Sequence, residues 1–264
     1  MVKYTQVYIK KEIKMEKHIE LLINWLREQV NDANAKGLIV GLSGGIDSAV
    51  IGALIQRAFP NNSLGVIMPC HSSEQDVNHA KLVAEKINLK NAIIDLSSVH
   101  RSLFQNVKDH LVSVNEWNEE TERMADANLR ARLRMSTLYT FATNYQYLVV
   151  GTDNKAEYYT GYFTKYGDGG VDLAPIIHYT KTEIRKMAEL LGVPKEVIHK
   201  APSAGLWEGQ TDEEEMGVSY DIIDKYLNGE TVSEEERNRI ESMHRRTEHK
   251  RKMPPSPPDF HHFT

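Results

Sequence analysis

Short apolar runs alternate with amphipathic segments along most of the 264-residue chain. Strand-like runs of mostly apolar residues occupy residues 38–42, 64–68, 92–96 and 147–150. The segments between them repeat apolar residues at helical spacing, near residues 74–88, 98–112 and 119–144. Ahead of the first run, one apolar helical face is formed by Met15, Ile19, Leu22, Leu26 and Val30. This order predicts helices that alternate with buried strands.

The alternation predicts an α/β fold, a single-domain doubly wound parallel sheet with helices on both faces. No internal repeat or Gly/Ser linker divides the sequence, so residues 1–264 are predicted to form one domain. The proline-rich segment 253–264 is predicted to be an extended surface tail. Because ligands of open α/β sheets bind at the carboxyl ends of the strands, we expect the site in the loops after residues 42, 69 and 150.

Composition and charge narrow the class of function. A formal net charge of -5 and a pI near 6.1 argue against a nucleic-acid partner, which would favour a dominant basic surface. Cys70 is the only cysteine, which excludes an internal disulfide or a CxxC metal site and suits a reducing compartment. No segment approaches the roughly 18 uncharged apolar residues of a membrane span. We therefore expect a cytoplasmic protein with no membrane partner.

The turn after the first strand lies in "LIVGLSGGIDSAVIG", residues 38–52. Two glycines between a strand and a helix let backbone N–H groups converge on an anion, and the helix N-terminus adds a partial positive charge. The pattern is neither the Walker A motif GxxxxGK[ST] nor the dinucleotide motif GxGxxG. The glycines alone are also compatible with an ordinary tight turn, but Ser43, Asp47 and Ser48 favour a phosphate site.

The motif SGGxDS resembles the PP-loop of the N-type ATP pyrophosphatases, which split ATP between the α and β phosphates. The resemblance implies that ATP is bound by Gly41, Leu42, Ser43, Gly44, Gly45, Ile46, Asp47 and Ser48. It also implies that Asp47 brings in Mg²⁺, a hard cation that prefers oxygen ligands. This motif alone does not distinguish among several families that share it, which are GMP synthetases, asparagine synthetases, tRNA-modifying enzymes and NAD synthetases.

Three further blocks resemble the NAD synthetase family. The block "VVGTDNKAEYYTGYFTKYGDGGVDLAPI" (149–176) is similar to its signature, and "NLRARLRM" (128–135) and "TEHKRKMPP" (247–255) match other blocks in the family's order. The resemblance covers most of residues 12–255 and implies an adenine nucleotide alpha hydrolase-like fold and a homodimer. No glutaminase or nitrilase segment accompanies these blocks, which favours the ammonia-dependent form.

The activity that the resemblance implies is the amidation of deamido-NAD by ammonia, with ATP as co-substrate and Mg²⁺ as cofactor. The products would be NAD, AMP and pyrophosphate, formed through an NAD-adenylate. By resemblance Thr152 matches an ATP contact, and Glu157 matches a Mg²⁺ ligand beside Asp47. Two carboxylates completed by phosphate oxygens and water are a usual protein contribution to a Mg²⁺ site. Taken alone, Glu157 would be read as a solvated surface charge.

Lys181 stands on the first turn of a predicted helix, where a positive charge opposes the helix dipole. By resemblance it contacts the ATP phosphates and neutralises charge that builds on them in the transition state. The segment 199–214 is predicted to be a mobile loop that closes over ATP, and Ser203 occupies the position of a phosphate-contacting hydroxyl. Asp168 matches the position that receives or deprotonates ammonium, a role that suits a carboxylate.

The resemblance also supplies candidate contacts to deamido-NAD, which are Arg132, Lys165, Asp172, His249 and Lys250. Some charges of the basic cluster 244–252 could instead belong to a solvated helix end. Two other functions stay open at this stage. One is another PP-loop enzyme that adenylates a purine nucleotide or tRNA, and the other is an ATP-binding sensor without catalysis.

Overall fold

The computed structural model describes residues 2–200 and 211–259, and the side chains of residues 2–13 lie outside that description. Its centre is a sheet of four parallel strands in the order β3-β2-β1-β4. The strands are β1 (Gly37–Gly41), β2 (Ser63–Ile67), β3 (Asn91–Ile93) and β4 (Tyr147–Val149). Each connection between successive strands contains at least one helix, as a parallel sheet requires.

The helices surround this sheet. Those up to the end of the last strand are α1 (Val2–Asp32), α2 (Ile46–Ala58), α3 (Glu74–Lys86), α4 (Ser97–Ser113) and α5 (Glu122–Tyr145). Those after it are α6 (Lys155–Thr160), α7 (Lys181–Leu191), α8 (Lys195–Ile198), α9 (Asp212–Met216), α10 (Tyr220–Leu227) and α11 (Glu234–Arg246). Short 3-10 helices occupy Glu119–Thr121 and Glu248–Lys250.

The two faces of the sheet are both covered, which confirms the predicted doubly wound α/β fold. Leu38 and Val40 of β1 pack into a core with α1, α2 and α7, whereas Ile39 packs into a second core with α5. This follows from the two-residue period of a strand. The apolar face predicted for the first helix is buried in the former core, since Leu26 is fully buried and Val30 is 2% exposed.

A third apolar cluster joins α6 to the helices near the C-terminus. Its buried residues are Ala156, Met216, Val218, Tyr220, Ile223, Ile240 and Met243. All residues of the cluster follow the last strand in the sequence. The cluster places α9 and α10 beside α6, which follows β4.

Element boundaries differ from the predictions at two places. Of the run at 92–96 only the first two residues belong to the short strand β3, and its last residue Ile93 and the following Ile94 are exposed at the edge of the sheet. The predicted loop 199–214 is shorter than expected, because Thr211 caps α9 with its hydroxyl and the helix begins at Asp212. Residues 201–210, with Ser203, lie outside the described residues, so the predicted mobility stays a prediction.

Residues 253–259 form neither helix nor strand and are exposed in this part of the predicted tail. Across the described residues, no helix combines the length and the apolar character that crossing a membrane demands.

Candidate active site

A cavity of about 370 Å³ opens at the carboxyl ends of β1, β2 and β4, the edge of the sheet where the site was expected. Most of the predicted site residues meet there. Those that line the cavity are Gly41, Leu42, Ser43, Gly45, Ile46, Asp47, Ser48, Thr152, Glu157, Asp168, Lys181 and Lys250. The fold therefore brings together motifs that are distant in the sequence.

The hydroxyls of two serines hold the glycine turn after β1 in place. Ser43 Oγ accepts from the Gly45 amide at 3.2 Å and lies 3.0 Å from Ser48 Oγ, which donates to the Gly45 carbonyl at 3.0 Å. Gly44 does not line the cavity but has a φ of 79°, and an added Cβ would lie 2.4 Å from the Asp76 carbonyl. No side chain caps α2, so the N–H groups of its first turn remain for an anion.

Lys181 is held in place by the start of α7. Thr180 caps this helix in a reciprocal pair with Glu183, as the sequence predicted. The carboxylate of Asp224 accepts from the backbone amides of Lys181 and Thr182 at 3.3 and 3.1 Å. This anchoring fixes the first turn of α7, and the Lys181 side chain is only 2% exposed.

The amine of Lys181 joins the two carboxylates that were predicted to bind metal. Its Nζ lies 2.5 Å from Asp47 Oδ2 and 3.4 Å from Glu157 Oε1. Asn154, which caps α6, donates through Nδ2 to Asp47 Oδ1 at 3.1 Å and through its backbone amide to Glu157 Oε2 at 3.0 Å. The two carboxylates, carried by helices that follow β1 and β4, thus converge on one cation.

Burial and charge shift the ionisation of this group. Burial raises the pKa of Glu157 to about 7, and the negative charge of Asp47 adds to the rise that Lys181 opposes. Burial alone would lower the pKa of Lys181, but the charges of Asp47 and Glu157 outweigh it and raise this pKa. The amine is therefore charged, and Glu157 needs more positive charge nearby to be fully ionised at neutral pH.

The donor set fits a divalent cation of the magnesium type. Among the described residues, no three His, Cys, Asp or Glu side chains form a group that could enclose a metal ion. Asp47 and Glu157 form a pair, which is what Mg²⁺ takes when phosphate oxygens and water complete its shell. Because the pKa of Glu157 is raised although Lys181 lies beside it, a second cation would stabilise the charged form of this carboxylate.

Another part of the cavity wall carries a second group of charges. Asp168 Oδ1 accepts from the Thr164 amide at 2.8 Å, and Lys250 Nζ donates to the carbonyls of Gly161 and Phe163 at 2.8 and 2.6 Å. Burial raises the pKa of Asp168 and lowers the pKa of Lys250. Asp153, which sequence reasoning missed, also lines this wall, and burial and the charge of Asp168 raise its pKa.

Four predicted substrate contacts lie outside the cavity lining. Arg132 donates to the Lys165 carbonyl at 3.4 Å, and Lys165 donates to the His249 carbonyl at 2.7 Å. Asp172 accepts from Tyr139 Oη at 2.9 Å and from the Val149 amide at 2.8 Å. These contacts tie surface loops to α5 and β4, and a role in binding substrate stays a prediction for all four.

Arg134 lines the cavity although sequence reasoning selected its neighbour Arg132. Its Nε donates to the Met68 carbonyl and its Nη2 to Ser72 Oγ, both at 3.2 Å, and burial lowers its pKa. The helical period would have found it. Ala127 and Ala131 line the cavity from one face of α5, and Arg134 lies one turn further along the same face, whereas Arg132 does not.

Three further residues beside the site, two of them in the cavity lining, belong to no recognised motif. Lys200 forms an ion pair with Asp76 of α3 beside the glycine turn, and both line the cavity. Tyr220 donates to Glu157 Oε1 at 2.8 Å from a fully buried position. The sequence alone gives little reason to select Tyr220. It lies on the apolar face of a helix, and nothing in that pattern indicates that its phenol reaches a carboxylate.

Comparison with known proteins identifies the family. The model of the family NAD synthase matches residues 18–254. The NH(3)-dependent NAD(+) synthetase of Alkaliphilus oremlandii is 57% identical over 243 residues, which are 92% of this chain and 97% of that protein. The protein of the same name from Methanocaldococcus jannaschii is 43% identical over 92% of this chain and 97% of its own length.

Solved structures agree with this match. A structure described as NMN synthetase from Francisella tularensis has a TM-score of 0.85 and 38% identity, covering 92% of this chain and 98% of that one. An NH3-dependent NAD synthetase from Campylobacter jejuni has a TM-score of 0.74 and 28% identity, with the same coverage. The resemblance read from the sequence is confirmed, and the chain belongs to the NAD synthase family, ligases that use ATP as a substrate.

Proposed function

We propose that the protein joins ammonia to deamido-NAD, with ATP and Mg²⁺, and releases NAD, AMP and pyrophosphate. The relatives named NH(3)-dependent NAD(+) synthetase, up to 57% identical, support the ammonia-dependent conversion of deamido-NAD to NAD. The observation that carries the proposal is the position of the Lys181 amine. It lies between Asp47 and Glu157 in the cavity that the glycine turn also lines.

The first step is the adenylation of the substrate carboxylate. An oxygen of the nicotinate carboxylate attacks the α-phosphorus of ATP, the bond from this phosphorus to the bridging oxygen breaks, and pyrophosphate leaves. The amides of the glycine turn and the first turn of α2 hold the phosphates. Lys181 adds positive charge as negative charge moves onto the leaving group, so that electrostatic stabilisation carries most of the step.

Asp47 and Glu157 would hold the Mg²⁺ ion. When bound, this ion supplies charge neutralisation on the phosphates and orients them for in-line displacement. The carboxylates themselves keep Lys181 in place, since its amine contacts both. Asn154 restrains the same two carboxylates from the other side. The chain therefore contributes a fixed pair of anions rather than a closed cage.

The second step is the attack of ammonia on the adenylate. The nitrogen lone pair bonds to the carboxyl carbon, AMP leaves, and one proton must be removed from nitrogen. Asp168 is suited to hold ammonium and take this proton, because it lines the cavity and burial raises its pKa, which makes it a stronger base than an exposed carboxylate. Lys250 lies in the same wall and balances the charge of Asp168.

We also propose that the protein acts as a homodimer. Among the described residues, most of the exposed large apolar side chains fall between the end of β3 and the start of α5, at Ile93, Ile94, Val99, Leu103, Val107, Val112, Val114 and Met124. A cluster of exposed apolar side chains of this kind marks a surface where another protein binds. Half of the side chains of this apolar face belong to α4, and Arg132, which lies outside the cavity lining, is on the neighbouring helix α5.

A second candidate substrate follows from one comparison. The structure described as NMN synthetase has a higher TM-score, 0.85, than the ammonia-dependent NAD synthetase at 0.74. A mononucleotide carries the same nicotinate carboxylate without the adenylyl half, so the chemistry above would be unchanged. Only contacts remote from the carboxylate would distinguish the two substrates.

One experiment tests the proposal and separates the two substrates. Purified protein is given ATP, Mg²⁺ and ammonium with either deamido-NAD or nicotinate mononucleotide, and amide product, AMP and pyrophosphate are quantified. Equal yields of the three products with deamido-NAD, at a higher kcat/KM than with the mononucleotide, are expected. A higher kcat/KM for the mononucleotide would reverse the assignment of substrate, and absence of pyrophosphate with both would refute the reaction.

A further inference from the structure

The side chain of Tyr220 connects the candidate metal carboxylates to the helices near the C-terminus. The residue begins α10, is fully buried, and packs with Ala156 of α6 and Ile240 of α11. Its Oη lies 2.8 Å from Glu157 Oε1 and 3.2 Å from Asp212 Oδ2. The mechanism above assigns no role to this phenol, although it touches a carboxylate on which that mechanism depends.

The hydrogen bonds of Glu157 show what the phenol contributes. Oε2 accepts from the backbone amide of Asn154, while Oε1 is approached by Tyr220 Oη and by Lys181 Nζ. A phenol has one proton, and the shorter of its two contacts is the one to Glu157. The phenol proton therefore fixes Oε1 while the amide fixes Oε2, and the carboxylate plane cannot rotate freely.

The aromatic ring of Tyr220 also contacts Lys181. Lys181 Nζ lies 4.6 Å from the centre of the Tyr220 ring, which gives a cation–π contact in a buried setting. One rigid side chain thus sets the position of Glu157 with its hydroxyl and confines the lysine amine with its face. Removing the hydroxyl alone leaves the second of these contacts in place.

We propose that Tyr220 is a positioning residue that orients the Glu157 carboxylate for the divalent cation bound with ATP. The inference rests on the proposed function, in which Glu157 is a metal ligand. Carboxylates that bind metal are commonly held by a further hydrogen bond, and loss of such a partner weakens metal affinity about 10- to 100-fold. The protein should therefore need more Mg²⁺ when this hydroxyl is absent.

The test is Tyr220→Phe, which removes one oxygen and keeps the ring. We expect the Mg²⁺ concentration for half-maximal activity to rise at least about fivefold, with kcat at saturating Mg²⁺ and KM for deamido-NAD within about threefold of the parent. A defect that spread through the cavity would change KM for deamido-NAD as well. The matched control is Tyr226→Phe, in the same helix, whose hydroxyl contacts Tyr159 and Glu241 instead.

A binding measurement gives a readout that does not depend on turnover. Mn²⁺ is titrated into protein with a non-hydrolysable ATP analogue, and free Mn²⁺ is measured by electron paramagnetic resonance. Tyr220→Phe should weaken Mn²⁺ binding by the same factor as it weakens Mg²⁺ activation, and Tyr226→Phe should leave binding within twofold. Unchanged Mn²⁺ binding by a folded Tyr220→Phe protein overturns the inference.

Two further variants keep the result interpretable. Glu157→Gln should weaken Mn²⁺ binding more than Tyr220→Phe, and if it changes nothing, the metal assignment of the proposed function fails rather than the role of Tyr220. If Tyr220→Phe does not fold, Asp212→Asn takes its place. This variant removes the charge that competes for the phenol proton and so strengthens the hydrogen bond to Glu157. Mn²⁺ should therefore bind at least as tightly as to the parent although an anion of the cavity lining is lost, and weaker binding overturns the inference.

Discussion

Lys181 Nζ lies 2.5 Å from Asp47 Oδ2, although 134 residues separate the two along the chain. The contact joins the first turn of α7 to the first turn of α2, which follows the glycine turn. Both side chains are largely buried, with exposures of 2% and 16%. A lysine at a helix N-terminus opposes the helix dipole, so this position is costly without the two carboxylates.

The first prediction concerns the charge of Lys181. Lys181→Met should lower kcat/KM about 100- to 1000-fold, because it removes a cation that acts on the phosphates in the transition state. Steady-state kinetics at saturating Mg²⁺ measure this loss. Lys195→Met in α8, outside the cavity lining, is the control and should stay near the parent. A loss below about tenfold for Lys181→Met would show that the amine has only a structural role.

The sequence predicted the fold and the centre of the site because both depend on local patterns. Periodicity placed the four strands, and the SGGxDS turn, the Thr180 cap and Glu157 were each found within a short motif. What it missed depends on contacts between distant segments. Tyr220 reaches Glu157 only when α10 packs against α6, and Asp153 gains its charged neighbours only when the segment of Asp168 folds beside it. Arg134 is the exception, because its position depends on the face of α5 alone, whereas the resemblance points to Arg132.

The second prediction is a pH dependence set by Glu157. Its pKa of about 7 means that the carboxyl is increasingly protonated below pH 7, and a protonated carboxyl binds Mg²⁺ poorly. At limiting Mg²⁺ the rate should therefore fall as pH drops through 7. Because proton and metal compete, saturating Mg²⁺ should move this acidic limb to lower pH. The profile is measured at two Mg²⁺ concentrations, and a limb that does not move would contradict the assignment.

The third prediction separates the two chemical steps at Asp168. Asp168→Asn should lower the formation of NAD about 100-fold, since the amide cannot take a proton from ammonium. Exchange of labelled pyrophosphate into ATP with deamido-NAD present should persist within about tenfold, because Asp168 is held by the Thr164 amide and adenylation depends instead on Lys181 and the glycine turn. Asp221→Asn, on an exposed side chain of α10, is the control. Equal losses in both assays would place Asp168 in binding rather than in the second step.

The fourth prediction concerns the exposed apolar face on α4. Val107→Glu puts a charge in the middle of this face, where Val107 is 49% exposed. If the face is buried between two copies, the substitution should convert the dimer to monomer at micromolar concentration, because an unpaired charge would be buried. Sedimentation velocity measures the change. Met253→Glu, at an 87% exposed position in the tail, should leave the mass unchanged. A parent protein that sediments as a monomer would refute the proposed dimer.

The fifth prediction compares two glycines in the left-handed region. Gly44 and Gly229 have φ angles of 79° and 77°, so alanine is strained by about 1 kcal/mol at either position. They differ in their surroundings, because a Cβ at Gly44 would lie 2.4 Å from the Asp76 carbonyl, whereas nothing lies within 4 Å at Gly229. Gly44→Ala must therefore also push α3 away from the glycine turn. It should lose at least tenfold in ATP affinity by calorimetry, while Gly229→Ala keeps that affinity and shows only the small loss of stability. Equal effects of the two substitutions on ATP binding would mean that the packing of α3 against the turn does not shape the phosphate site.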